Sequence, residues 1–167
     1  MKYKRVLVDV DGVVANYVEG WKALTGYHPD CLNNLSKAHK DLIKGKVIGE
    51  DKLFLNLPIY DGAKEFIEFL KEKFEVVEFY TATGHVLPLY SEACKRTWLE
   101  ENFSGIKVNA CIKAREKIRL SDENSILIDD RMKSKEAFDS GKGLCILHTP
   151  GDFEKTKLAI ESLIDCK

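Results

Sequence analysis

A chain of 167 residues, 44% hydrophobic and 32% charged, carries enough apolar side chains for one globular core with room for a small insertion. Its 26 lysines and arginines nearly cancel 27 aspartates and glutamates, so no broad basic footprint exists for coating nucleic acid, and no extended nucleic-acid binding is expected. No apolar run approaches the roughly 20 residues of a membrane span, and the N-terminus leads into an apolar strand rather than a signal-peptide core, so a cytoplasmic protein without membrane contact is expected.

The first run, Arg5-Val6-Leu7-Val8, is short, apolar and β-branched and ends at Asp9. From Ala15 to Leu57 no strand is convincing. Helical signals at 17–24 and 35–43 are interrupted by Gly26, Pro29, Gly45 and Gly49, and aromatics recur at Tyr17, Trp21, Tyr27 and Phe54. This stretch is too long for a connecting loop. It reads either as a lid over a site or as a helical subdomain whose aromatics make only its own core.

A helix is expected over 63–73, with Phe66, Ile67 and Leu70 on one face. A strand over 76–80 then ends at Thr81. Another helix, over 89–102, has Tyr90, Cys94, Thr97 and Trp98 as its inner face, and a further strand falls within 106–112. Ser125-Ile126-Leu127-Ile128 ends at Asp129. A helix over 132–140 stopped by Gly141, a strand over 143–147 and a helix over 153–163 complete the series.

Near-continuous apolar strands alternating with helices imply βαβ units, hence an α/β doubly wound parallel sheet covered on both faces. In such sheets ligands bind beyond the carboxyl ends of the strands, where Asp9, Thr81 and Asp129 fall. The boundaries expected are a core of residues 1–14 and 58–167 and a small helical insertion of residues 15–57.

Five cysteines, Cys31, Cys94, Cys111, Cys145 and Cys166, make an odd set with no CxxC pair. That argues against a disulfide framework or a structural zinc site, and for reduced thiols, the first four buried as small hydrophobes.

Asp9-Val10-Asp11-Gly12 follows the first strand directly. Carboxylates two residues apart in an extended segment point the same way, and Gly12 lets the chain turn beside them. One carboxylate can then serve as nucleophile and the other as general acid and base. A second pair, Asp129-Asp130, ends another strand at the same rim. Four carboxylates there repel one another unless a divalent cation sits among them, and an oxygen-only ligand set suits Mg²⁺. The cation also makes an acidic site hospitable to a phosphate.

These motifs resemble those of the haloacid dehalogenase-like (HAD) superfamily of aspartate-nucleophile phosphatases. Asp9-Val10-Asp11-Gly12-Val13-Val14 matches the first motif, Phe79-Tyr80-Thr81 the second, a downstream lysine the third, and Ile126-Leu127-Ile128-Asp129-Asp130-Arg131 the fourth, all in order. Within the superfamily the chain is most similar to the 5'(3')-deoxyribonucleotidases. Its insertion lies between the first two motifs, and Leu53-Phe54-Leu55-Asn56-Leu57-Pro58 runs into Asp61-Gly62-Ala63 and a helix.

The resemblance implies a Rossmannoid core, with residues 15–57 as a small helical cap. It makes Asp9 the nucleophile that takes the phosphoryl group as an aspartyl-phosphate, and Asp11 the acid that protonates the leaving oxygen and then activates water. It implies Mg²⁺ on the Asp9 side chain, the Asp11 backbone carbonyl and Asp130, with Asp129 in support. Thr81 would bond a phosphoryl oxygen, and a lysine would stabilise the transferring group: Lys117, with Lys113 as the alternative and a substrate contact. Because Asp11 is present, the dehalogenase branch is disfavoured.

The nucleotidases usually follow the second-motif threonine with Ser-Pro; here Ala82-Thr83-Gly84-His85 follows. Ala82 and Thr83 are therefore expected substrate contacts of altered character, Thr83 either adding a hydroxyl to the phosphate or belonging to a plain turn, and His85 is expected as an exposed loop residue. Arg131 either pairs with a carboxylate or reaches substrate. Tyr17 and Trp21, with Phe54, are candidates to stack on a base.

The expectation is a Mg²⁺-dependent 5'-nucleotidase acting on nucleoside monophosphates. An alternative is a polynucleotide 3'-end phosphatase: Ile128-Asp129-Asp130-Arg131 followed by Pro150-Gly151-Asp152-Phe153 is similar to the phosphatase half of phage polynucleotide kinase-phosphatases, though the near-neutral charge argues against it. Another small-metabolite phosphatase, or a non-enzymatic binding protein on the same fold, completes the set; the retained motif aspartates weigh against the last.

Overall fold

The structure is a computed structural model and describes residues 2–165; Cys166 lies outside them. A five-stranded sheet has the order β3-β2-β1-β4-β5, built from β1 (Arg5–Val8), β2 (Val76–Ala82), β3 (Val108–Cys111), β4 (Ser125–Asp129) and β5 (Leu144–Leu147). Every pairing is parallel. The helices are α1 (Tyr17–Thr25), α2 (Lys37–Gly49), α3 (Ala63–Lys73), α4 (Pro88–Asn102), α5 (Met132–Asp139) and α6 (Phe153–Asp165). The longest, α4, has 15 residues, and no helix among the described residues is long and apolar enough to cross a membrane.

The sheet buries two faces because side chains alternate along each strand. Val6, Val8, Phe79, Ile126 and Ile128 belong to the larger core cluster. Leu7, Tyr80 and Leu127 belong to a smaller one, with Cys111, Phe138 and Cys145. Register aligns Val8 with Phe79 on one side and Ile128 on the other, so Asp9 stands level with Asp129. The chain leaves β1 toward β2 and β3, then crosses over to β4 on the opposite flank. β1 and β4 thus flank the switch point, where departing loops diverge and leave a crevice.

Residues 15–57 contain α1, α2 and two 3₁₀ turns, Pro29–Asn34 and Leu53–Leu55. The segment is clipped where it leaves and rejoins the core: the Asn16 amide donates to the Pro58 carbonyl at 2.7 Å, and the Tyr60 amide to the Val14 carbonyl at 3.0 Å. Trp98 on α4 adds a third tie through its indole N–H to the Leu57 carbonyl at 2.9 Å. Trp21, Leu32, Val47, Ile48 and Phe54 merge into the larger cluster rather than forming a separate core.

Several local expectations are corrected. Gly45 and Gly49 lie inside α2, because Ser36 caps its start by accepting from the His39 amide and Val47 and Ile48 bury its last turns. The inner face of α4 is Ser91, Cys94, Lys95, Trp98 and Leu99; Tyr90 and Thr97 face solvent. Cys94, Cys111 and Cys145 are buried thiols, but Cys31, in the first 3₁₀ turn, is exposed.

Candidate active site

Alternation along β1 sends Leu7 and Asp9 to the face covered by the 3₁₀ turn Ala114–Leu120, which follows β3. That turn delivers Lys117, wholly buried. Its Nζ sits 2.8 Å from Asp9 Oδ1 and 2.5 Å from Asp129 Oδ2. Tyr80 of the same sheet face lies under the ammonium at 5.7 Å, while its hydroxyl donates to the Glu116 carbonyl at 2.9 Å and fixes the turn. Burial disfavours the Lys117 ammonium, but Asp9 and Asp129 outweigh it and hold its pKa above the ordinary value. Lys113, by contrast, is exposed at the cavity's edge.

The opposite face supplies a second lysine that the sequence reading missed. Thr81 alternates with Tyr80 and faces α4, whose Lys95 is 1% exposed. Lys95 Nζ donates to Asp11 Oδ2 at 2.5 Å, Thr81 Oγ1 at 3.0 Å and the Ala82 carbonyl at 2.9 Å. A fourth neighbour is the Phe54 ring, 4.5 Å away. All three ammonium protons have acceptors. The available signal was a lysine beside Cys94 and three residues before Trp98, within a stripe of buried positions where lysine almost never goes unpaired.

The four aspartates differ. Asp129 has a partner on each oxygen: beyond Lys117 on Oδ2, its Oδ1 accepts from the Arg131 amide at 2.9 Å. Asp130 Oδ1 and Asp11 Oδ1 are buried without any hydrogen-bond partner. Burial, then the Asp9 and Asp129 charges, push Asp130 up to about 7, and burial followed by Asp9 pushes Asp129 up to about 6. Asp11 is also raised, chiefly by burial, against the lowering pull of Lys95. Gly12 has φ +81°, and a methyl group there would overlap the Asp130 carboxylate. The position therefore requires glycine twice, for its backbone conformation and for the space Asp130 fills.

Oxygens of Asp9, Asp129 and Asp130 converge within 4.8 Å. Orphaned carboxylate oxygens in an all-oxygen set fit Mg²⁺. Asp130, with a free oxygen, suits direct ligation better than Asp129, whose oxygens are committed to Lys117 and the Arg131 amide.

A cavity of about 870 Å³ opens over these groups. Tyr17, Phe54, Ala82, Thr83, Lys113 and Arg131 line it. The Thr83 hydroxyl lies 3.3 Å from the carbonyls of both Gly84 and Cys111 and is spent inside the loop. Trp21 is corrected as a substrate contact: it is 0% exposed and packs between Tyr17 and Tyr27 at centroid distances of 6.0 and 6.4 Å. Helical spacing places Tyr17 at the cavity wall and Trp21 one turn deeper, behind it. His85 is exposed, as expected, with Nε2 2.8 Å from Asp41 on α2, so it joins the β2 loop to the inserted segment.

No protein-family model matches the sequence, and no curated protein matches it. The fold does have solved relatives. A haloacid dehalogenase-like family hydrolase from Xanthomonas campestris superposes with TM-score 0.64 at 13% identity, over 97% of this chain and 92% of that one. A protein assigned as a phosphoglycolate phosphatase from Lactobacillus plantarum gives 0.60 at 14%, over 98% and 100%. A HAD family enzyme from Bacteroides thetaiotaomicron, in complex with magnesium and inorganic phosphate, gives 0.50 at 12%, over 90% and 96%. With its parallel sheet and its carboxylates at the β1–β4 crevice, the chain has the fold of the haloacid dehalogenase-like hydrolases.

Proposed function

We propose that this protein is a Mg²⁺-dependent phosphomonoester hydrolase working through an aspartyl-phosphate, with nucleotides as its substrates and residues 15–57 as its cap. The observation that carries the reading is the division of labour at the end of β1: Asp9 and Asp11 are each held by a separate buried lysine, one from each face of the sheet.

Lys117 keeps Asp9 oriented and offsets its charge as the carboxylate approaches phosphorus. An Asp9 oxygen forms the new P–O bond while the ester P–O bond breaks, and Asp11 gives its proton to the departing alkoxide. The elevated pKa of Asp11 suits it to carry that proton. Asp11, now a carboxylate, takes a proton from water as the water oxygen attacks the aspartyl-phosphate, releasing inorganic phosphate and restoring Asp9. Thr81 offers a hydroxyl to a phosphoryl oxygen. Asp9, Asp130 and the Asp11 carbonyl would hold Mg²⁺, which supplies charge neutralisation for the incoming phosphate dianion.

The cavity volume lies within the range of small-ligand sites, and Tyr17 offers it an aromatic wall for a base. Burial and the Asp11 charge push the Tyr17 phenol up, so the ring stays neutral there. Free thiols at Cys31, Cys94, Cys111 and Cys145 are in keeping with work in the reducing cytoplasm.

Phosphate release from ribo- and deoxyribonucleoside monophosphates, glycerol phosphate and an aryl phosphate, with and without Mg²⁺, tests this. Mg²⁺-dependent turnover, highest on nucleotides and abolished in Asp9→Asn, is expected. Retained activity in Asp9→Asn overturns the mechanism, and turnover of simple esters but no nucleotide overturns the substrate.

A further inference from the structure

The charge of the whole chain is almost zero, but the cavity is not neutral. Along its lining cations outnumber carboxylates seven to four; Lys113, Arg115, Arg131 and Lys133 are exposed, whereas Asp9 is buried and Asp11 and Asp130 are half-buried. Asp9, Asp11 and Asp130 lie on the floor. The mouth carries Lys40 and Lys44 from α2, Lys113 and Arg115 from the turn after β3, and Arg131 and Lys133 at the start of α5. These are three separate elements facing one opening. None of the six is within ion-pair distance of a carboxylate among the described residues. Lys40 makes one hydrogen bond, to the Asn33 carbonyl at 3.0 Å. The mouth's acidic residue, Asp30, is itself beside His28 at 3.3 Å.

Elsewhere on the surface some lysines pair locally with carboxylates, as in Lys71–Glu68, Lys135–Asp139 and Lys157–Glu154, and others stand alone; what distinguishes the six at the mouth is that they line one cavity. Six cations lining one cavity repel one another, and none has a carboxylate at ion-pair distance; Arg131 and Lys113 feel Asp130 and Glu116 only at longer range. The phosphoryl group at Asp9 does not need them either, because Lys117, together with the Mg²⁺ that Asp9 and Asp130 would hold, would meet its charge. A second anion at the mouth would be met from three sides, with the planar guanidinium of Arg115 able to bind it bidentately. Low-dielectric walls concentrate the field and draw such a ligand inward.

We propose that the cavity mouth is a second anion subsite, so that the preferred substrate carries a further phosphate, as monoester or diester, beyond the one attacked by Asp9. The inference rests on the hydrolase reading and sharpens its substrate class: a nucleoside bisphosphate or a short phosphate-terminated oligonucleotide rather than a nucleoside monophosphate.

The test compares turnover of a nucleoside 5'-monophosphate, the matching 3',5'-bisphosphate and a 5'-phosphorylated dinucleotide, at low and moderate salt. A kcat/KM advantage of about tenfold or more is expected for one of the doubly charged substrates, shrinking several-fold as salt screens the mouth. Whichever of the two is favoured assigns the second group as monoester or diester. In a folded Lys44→Glu/Arg115→Glu variant the advantage falls to about one, because the mouth's charge is reversed on two of its sides. A ratio near one in the wild type, or a ratio unchanged in the variant, overturns the subsite while leaving the phosphatase intact. If no ester is hydrolysed, the hydrolase reading itself fails. Calorimetric titration of the bisphosphate into wild type and variant then decides the subsite: binding lost in the variant supports it, and equal or absent binding overturns it.

Discussion

Lys95 and Asp130 show how costly the site is to its own fold. Lys95→Met leaves the Asp11 carboxylate, the Thr81 hydroxyl and the Ala82 carbonyl without their shared donor. Breaking a largely buried pair from one side is expected to cost about 2–4 kcal/mol in denaturant titration. The added change Asp11→Asn should recover a measurable part of that loss, which a double-mutant cycle reads directly. In turnover, Lys95→Met should lower kcat more than it raises KM, since on the proposed mechanism it misplaces Asp11, the proton donor. Asp130 behaves in the opposite sense. Its value rises on folding from 3.8 to about 7, so the stability it contributes is present below pH 3.8 and lost as pH climbs through 7. Metal-free Asp130→Asn at pH 8 should therefore melt higher than wild type by roughly 5 °C. The Mg²⁺-induced rise in Tm should shrink in the same variant, because the proposed metal ligand is gone.

At the scale of elements, the decisive arrangement is the central strand with one lysine-bearing element against each face. The turn at 114–120 reaches Asp9 from one side and α4 reaches Asp11 from the other. Between them Gly12 leaves room for Asp130. Gly12→Ala is expected to fold but to displace that carboxylate, and the Mg²⁺ concentration giving half-maximal activity should rise about tenfold or more. β5 ends in a different device. His148 is 2% exposed, stacks near Phe66 and Phe153, and has Nδ1 2.8 Å from the Thr156 hydroxyl. Burial pushes it down from 6.5 to about 4, slightly opposed by Asp152. A histidine depressed in this way contributes stability that is complete above pH 6.5 and lost as pH falls toward 4. Unfolding free energies of wild type and His148→Leu, measured at pH 7 and pH 4.5, should differ by an amount that narrows at the lower pH, with wild type the one that loses more.

Across the whole molecule, charge is balanced in sum and polarised in space. The acidic floor is compensated by two buried lysines, and the basic mouth stands over it without carboxylate partners. The inserted segment is clipped to the core near residues 15 and 59 and tied across the cavity by His85 and Asp41. Cutting that tie with Asp41→Ala is expected to leave the melting temperature nearly unchanged, since an exposed pair contributes little. It should raise KM for substrate if α2 must be held over the opening, which steady-state kinetics on the preferred ester checks.

Much of this was legible along the chain. Apolar runs that each stop at an aspartate or threonine predicted parallel strands and a shared rim, because a strand buried on both faces must be apolar throughout and its polar neighbours can lie only at its ends. The pairing of Asp9-Val10-Asp11-Gly12 with Asp129-Asp130 predicted where acids would gather. What periodicity could not supply was the identity of distant partners. Lys95 reads as an ordinary helical lysine until α4 is laid on the sheet, and Trp21 reads as a stacking surface until the turn of α1 sets it behind Tyr17. Local sequence determined the strands, the helices and the acidic pairs, since backbone propensity and burial are local properties. Tertiary structure alone decided which lysine neutralises which aspartate and which six cations line one cavity, because both depend on side chains brought together across dozens of residues.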